Sequence, residues 1–235
     1  MQSRSARNSS AASPREQPAY TLAEAARYLK LPVATLRSWV VGRSYPTAEG
    51  AGRFQPLIHP PRRKPPVLSF SNLIEAHVLR ALRTDHGIPV KELRRALKYA
   101  EERLGVERLL LRRELCTDGG NLFLERYGQL INLSASGQLA MRKVFEQHLE
   151  RVVWDLPQFP VRLYPFLSSD GLGPDRPIAI DPQIAFGRPV VVRKGVSTHA
   201  IAERIDAGET VADLAADYDL SPTEIEEAVL YERAA

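Results

Sequence analysis

A single cysteine, Cys116, is all the thiol chemistry in these 235 residues. One thiol forms no intramolecular disulfide, so nothing points to secretion. Long apolar runs are missing too, and neither a transmembrane span nor a secretory segment is expected. Histidine is scarce and scattered: His59, His77, His86, His148 and His199 include no pair at metal-ligand spacing. Cys116 has no histidine nearby, and a lone cysteine is usually a packing residue. No Walker-type loop and no GxGxxG occurs. The expectation is a cytoplasmic protein that is not an enzyme and takes no cofactor, metal or membrane.

Acidic residues are short in the front half and cationic ones in the back half. Residues 1–114 hold 21 Lys/Arg against 10 Asp/Glu, and residues 115–235 hold 11 against 18. The overall +4 therefore conceals a basic front and an acidic rear. A basic front suits a polyanion, and an acidic rear is repelled by one.

What is present is ordinary globular composition, 44% hydrophobic, with room for one large or two small domains. Met1 to Pro18 is rich in Ser, Ala, Arg and Pro and reads as a disordered tail, with an organelle transit peptide as the other reading. Thr21-Leu-Ala-Glu24 is a capping box that opens a helix with Leu22, Ala25, Ala26 and Leu29 on its apolar face. Leu31-Pro32 breaks that helix. Val33, Leu36 and Val40 start a second, which Gly42 ends. Phe54 to Ile58 and Pro66 to Phe70 read as one β-hairpin with the basic tip Arg62-Arg63-Lys64. Ser71 caps a helix through Leu82, and Pro89 opens another from Val90 to Leu104.

The middle reads as strands Leu115 to Thr117, Asn121 to Arg126 and Gln129 to Leu133. A helix from Ser136 to Val152 and a strand from Val161 to Phe166 follow. After a linker, Ile178 to Ile180 is a strand, and Ile184 to Phe186 pairs with Pro189 to Val192 around Gly187. Helices Thr198 to Ala207, Val211 to Tyr218 and Pro222 to Arg233 complete the chain, the last opened by the capping box Ser221-Pro-Thr-Glu224. The fold class is α+β, mostly α. Its parts are a tail (1–18), a winged helix-turn-helix domain (19–108), an α/β middle segment suited to dimerisation (109–167), a linker (168–177) and a C-terminal hairpin with a three-helix unit (178–235).

An internal repeat links the two ends. Thr210 to Val229 lies over Thr21 to Val40 without a gap: Ala26 meets Ala215, Leu31 meets Leu220, Leu36 meets Ile225 and Val40 meets Val229. The shared positions face a core, which supports two helix-turn-helix units. The outward positions disagree. A recognition helix shows DNA its N-terminal and outer side chains. These are Ala34, Thr35, Arg37 and Ser38 in the first unit, and Thr223, Glu224, Glu226 and Glu227 in the second. The first unit suits phosphates, with Arg43, Arg53, Arg62, Arg63 and Lys64 as further DNA contacts. The second suits a basic protein surface. Arg188, Arg193 and Lys194 form a small basic cluster that cuts against this acidic picture.

Tyr20-Thr-Leu-Ala-Glu-Ala-Ala-Arg-Tyr-Leu followed by Thr35-Leu36-Arg37 resembles the start of MerR-type winged helix-turn-helix domains. The resemblance implies backbone contacts to DNA from Thr35 and Arg37. Trp39 falls where that family has a tyrosine, and Arg62 to Lys64 fall in the wing. The wing here is longer and richer in proline, and the family's long C-terminal coiled-coil helix is absent. Asp181-Pro182, Phe186-Gly187-Arg188-Pro189-Val190, Gly195-Val196-Ser-Thr198, Gly208-Glu209 and Leu214-Ala-Ala-Asp-Tyr218 through Ile225-Glu-Glu-Ala228 resemble the domain of unknown function 433. The whole chain looks like a VapB-type antitoxin with a MerR-like front. That resemblance implies a type II antitoxin that neutralises a PIN-like ribonuclease toxin and represses its operator DNA as a homodimer. The acidic residues Asp213, Asp217, Glu224, Glu226 and Glu227 are then the toxin-binding candidates. The alternative is a stand-alone MerR-like transcriptional regulator whose C-terminal unit dimerises or holds a ligand.

Overall fold

The structure is a computed structural model, and it describes residues 13–47, 50–84, 89–105, 107–111, 151–157, 159–165 and 176–234. The fold is mixed, with helices predominating over small antiparallel sheets. Strand β1 (Tyr20–Thr21) leads into α1 (Leu22–Tyr28), where the Thr21 hydroxyl accepts from the Glu24 amide and the Glu24 carboxylate accepts from the Thr21 amide. Lys30 turns left-handed at φ 52°, and Pro32 then starts α2 (Val33–Val40). Leu36, Trp39 and Val40 are buried in the main core with Leu22, Ala25, Ala26 and Leu29. Trp39 is fully buried, so it packs rather than contacts.

Two hairpins replace the single one expected. β2 (Arg43–Thr47) pairs with β3 (Gly50–Phe54), and β4 (Arg62–Arg63) pairs with β5 (Pro66–Leu68). Gly42, at φ 85°, reverses the chain straight out of α2, where an added Cβ would stand 2.4 Å from the Phe54 carbonyl oxygen. Pro60 and Pro61 lack the N–H that a strand needs, which keeps the stretch after Phe54 out of a ladder. β5 lies between β1 and β4, so the basic strand is held by the sheet that starts α1.

Helix α3 (Phe70–Thr84) begins before Ser71. Ser69 is its cap, through reciprocal bonds with Asn72, whereas the Ser71 hydroxyl donates to Glu16. Glu16 lies in a 3-10 turn, Pro14–Glu16, and also pairs with Arg108 at 2.9 Å. The last residues of the expected disordered tail are therefore placed against α3. Helix α4 (Val90–Leu104) has the expected bounds.

The middle strands, Leu115 to Thr117, Asn121 to Arg126 and Gln129 to Leu133, lie outside the described residues, as does the helix from Ser136 up to its final residues. Val152 is not helical: β6 (Val152–Trp154) pairs with β7 (Pro160–Leu163). β-branched residues at 152 and 153 favour that state. Leu163 in turn exchanges backbone bonds of 2.8 and 2.9 Å with Ile180, joining this hairpin to the C-terminal unit.

The expected C-terminal hairpin is a three-stranded sheet. β9 (Val190–Val191) sits between β8 (Ile178–Ala179) and β10 (Val196–Ser197). Residues Ala185–Gly187 form a 3-10 turn of left-handed backbone, which no ladder accepts. Helices α5 (Thr198–Asp206), α6 (Val211–Tyr218) and α7 (Pro222–Arg233) enclose a second core of Val191, Ile201, Leu214, Leu220, Ile225, Ala228 and Val229. No helix among the described residues is long and apolar enough to cross a membrane.

Candidate nucleic-acid interface and its acidic counterpart

The repeat holds at the level of backbone geometry. Thr210 and Asp213 form the capping box that Thr21 and Glu24 form in α1. Asp219 is left-handed at φ 52°, matching Lys30 at the same place in the repeat. Leu31 N–H donates to Ala26 O at 2.9 Å, and Leu220 N–H donates to Ala215 O at 3.0 Å. Leu36 and Ile225, which correspond, are both fully buried, and so are Trp39 and Ala228.

The outward faces differ in charge and in how the helix begins. On α2, Ala34 and Arg37 are exposed, and Thr35 and Ser38 are half-buried. Ser38 donates its hydroxyl proton to the Thr35 carbonyl at 2.8 Å. Pro32 offers no side chain to the first amides of α2. On α7, Ser221 and Glu224 close the helix start, the Ser221 hydroxyl accepting from the Glu224 amide. An uncapped helix start favours an anion, and a start capped by a carboxylate disfavours one.

Arg43, Arg53, Arg62, Arg63 and Lys64 are exposed, as is Arg37. Among the described residues none of them has a carboxylate partner; Arg53 makes one backbone bond, to Val41 O at 3.2 Å. Between Arg37 and Ile74 the sequence has six Lys/Arg and one acid, Glu49. The β2–β3 ribbon is fastened at its base: Tyr45 stacks on Phe54 at 4.2 Å, and Arg94 reaches the Phe54 ring and the Gln55 carbonyl.

In the C-terminal unit the cations are neutralised internally. Arg193 pairs with Glu224 at 3.1 Å and Lys194 with Asp219 at 2.5 Å. Arg204 pairs with Glu209 and Asp217, and Arg233 with Asp206. The basic cluster of Arg193 and Lys194 is therefore balanced by nearby carboxylates, and Arg188 of that group has none among the described residues. Three of the five acidic candidates are engaged within the chain. The Thr210 hydroxyl and amide hold Asp213 below the usual carboxylate range. Asp217 takes Arg204 at 2.6 Å. Burial raises the Glu224 pKa, but bonds from Ser221 and Arg193 outweigh it and the net shift is downward. Glu226 is exposed, and one Glu227 oxygen is buried without a hydrogen-bond partner. A cleft of about 570 Å³ opens here between Arg176, Val192 and Arg193 on one side and Thr223, Glu224 and Glu227 on the other.

The contact between the two units had no signal in the sequence. Tyr231 lies just beyond the repeat and is buried against α1, its hydroxyl donating to Tyr28 O at 3.1 Å. The Lys30 ammonium sits 4.1 Å from the Tyr231 ring and donates to the Tyr231 carbonyl. Arg27 pairs with Glu232 at 3.4 Å, and the Tyr20 ring meets Tyr28 edge-on at 6.2 Å. The two helix-turn-helix units thus share one interface through α1 and α7.

Comparison with known proteins follows the same division. Residues 18–97 match a family described as "Putative DNA-binding HTH domain", and residues 178–231 match "Protein of unknown function (DUF433)". The chain is 30% identical over 232 residues to "Putative antitoxin VapB45" of Mycobacterium tuberculosis (strain ATCC 25618 / H37Rv), spanning 90% of this chain and 92% of that one. It is 25% identical over 228 residues to "Uncharacterized protein Rv2308" of the same strain, spanning 90% and 89%. Among solved structures it is similar to the X-ray crystal structure of Rv2018 from Mycobacterium tuberculosis. The TM-score is 0.66 and the identity 25%, across 91% of this chain and 98% of that one.

Proposed function

This chain belongs to the family of the "Putative antitoxin VapB45", and from that premise we propose that it is the antitoxin of a type II toxin–antitoxin pair. In this reading it neutralises a PIN-like ribonuclease toxin and binds operator DNA as an autorepressor. Residues 19–108 are the DNA-binding domain, residues 109–167 serve dimerisation, and residues 178–235, beyond the linker 168–177, are the antitoxin domain. Operator sites read by helix-turn-helix proteins are commonly palindromic, so the DNA-bound form is a homodimer.

The observation that carries the DNA half is the contrast in charge. Arg37 on α2, Arg43 and Arg53 on one ribbon, and Arg62, Arg63 and Lys64 on the other are exposed, without carboxylate partners among the described residues. Thr35 and Ser38 stand half-buried on the same helix as Arg37. Phosphates are the natural partners of such cations. The toxin half rests on the family and on the acidic face: Glu226 and Glu227, backed by Asp213, Asp217 and Glu224 in their internal pairs.

One observation favours the alternative, a stand-alone regulator with a C-terminal dimerisation or ligand domain: three of the five acids are already engaged within the chain. Co-expression with the neighbouring reading frame discriminates. The antitoxin reading expects rescue of growth and co-purification, and it fails if neither occurs. For the DNA half, Arg37→Ala is expected to weaken binding to the promoter fragment on the order of 10-fold in a mobility shift. Unchanged affinity sinks the assignment of α2.

A further inference from the structure

The turn Ala185–Gly187 presents an aromatic side chain to solvent at a cost in backbone strain. Phe186 is 92% exposed, yet it is held at φ 55° and ψ 31°. Ala185 before it and Gly187 after it are also left-handed, at φ 47° and 76°. That region is natural for glycine and unfavourable for a bulky residue. In the free chain the ring buries almost nothing that would offset the strain.

Yet the turn is tightly fastened. Ile184 N–H donates to Asp181 O at 3.0 Å, Gly187 N–H to Ile184 O at 2.9 Å, and Arg188 N–H to Ala185 O at 3.1 Å. The Asp181 carboxylate accepts from the Gln183 amide at 2.9 Å and from Arg162 at 3.0 and 3.1 Å. Gly187 lies against the Tyr20 hydroxyl so closely that an added Cβ would stand 2.2 Å from it. The backbone that carries the ring is thus set before any partner arrives, which removes part of the ordering cost of binding. Arg188 beside it is exposed and has no carboxylate partner among the described residues, unlike Arg193, Lys194, Arg204 and Arg233.

We propose that this turn is the anchor that holds the toxin: Phe186 seats in an apolar pocket of that protein, and Arg188 meets a hydrogen-bond acceptor at its edge. The proposal rests on the antitoxin reading above. Aromatic and arginine side chains carry most of the energy of protein interfaces. A nucleic acid is the poorer occupant, because residues 178–235 hold five Lys/Arg against eleven Asp/Glu. An anionic membrane is disfavoured for the same reason.

The test uses the full chain and the toxin from the neighbouring reading frame, titrated by calorimetry. Phe186→Ala weakens toxin binding at least about 30-fold, the loss of one hot-spot residue, and leaves promoter binding unchanged. Arg188→Ala gives a smaller loss. Phe186→Gly separates binding from stability: glycine relieves the left-handed backbone, so the variant melts at or above the parent temperature and still loses the toxin. A merely structural Phe186 gives the reverse. Parent-like toxin affinity in both Phe186 variants overturns the anchor. So does a loss confined to promoter affinity or to self-association in sedimentation, which places the ring on DNA or on a second copy. If the unaltered chain fails to bind the toxin, the antitoxin reading falls, and the anchor with it.

Discussion

Tyr20 carries a buried hydroxyl with no hydrogen-bond partner among the described residues, pressed against the backbone of Gly187. Removing that hydroxyl relieves an unsatisfied donor at a residue that is otherwise core. Tyr20→Phe is therefore expected to leave the urea midpoint unchanged or raised. Gly187→Ala acts on the same contact in the opposite sense. It puts a methyl into the hydroxyl and asks alanine for φ 76°, so a loss of more than about 1 kcal/mol is expected in the same assay. At Lys30, burial lowers the ammonium pKa to about 8, against the opposing pull of Glu232. The unfolded chain keeps that proton to about 10.4 and so binds more protons between the two values. Stability then rises with pH from about 8 toward 10. Above that, burial of Tyr20, Tyr28 and Tyr231 raises their pKa values, the unfolded chain loses phenolic protons first, and stability falls. Lys30→Met is expected to flatten the rise, read as urea midpoints from pH 7 to 10; an identical slope refutes it.

At the scale of elements, the paired capping boxes invite a paired measurement. Thr21→Ala and Thr210→Ala each remove one hydroxyl cap, with an expected loss of about 1 kcal/mol apiece. The wing offers a second. Replacing Arg62, Arg63 and Lys64 by alanine is expected to weaken DNA by a similar factor on operator and on unrelated duplexes, because phosphate contacts carry no sequence. A loss confined to the operator would mean base contacts instead. These elements were largely legible in the sequence. The caps at Thr21 and Ser221 and the proline at 89 are local signals, each set by residues within a turn of one another, and the repeat shows in its aligned core positions. The second ribbon was not legible, because Ser44 to Thr47 and Gly50 to Arg53 lack an apolar alternation. Their pairing is set by Gly42 and by the Tyr45–Phe54 stack across the strands. The turn at Phe186 reads as strand in the sequence because its aliphatic and aromatic residues suit one. The left-handed backbone goes with the turn's own hydrogen bonds and with the close approach of Gly187 to Tyr20.

For the whole molecule, the meeting of Tyr231 with Tyr28 makes the two helix-turn-helix units depend on each other. No periodicity marks such a contact, since it joins residues about two hundred positions apart. Tyr231→Ala empties a fully buried site and is expected to cost about 3 kcal/mol. It should also split one cooperative melting transition into two, and a single unchanged transition would show that the units stand independently. The distribution of free cations reaches further. At the α2 end they await an outside anion, and in the C-terminal unit most are already matched, so ionic strength acts on the two ends unequally. Rising salt screens the attachment to a polyanion. It leaves an aromatic ring in an apolar pocket undisturbed. On a heparin column the proposed function expects the chain to elute in a salt gradient, released first at its α2 end.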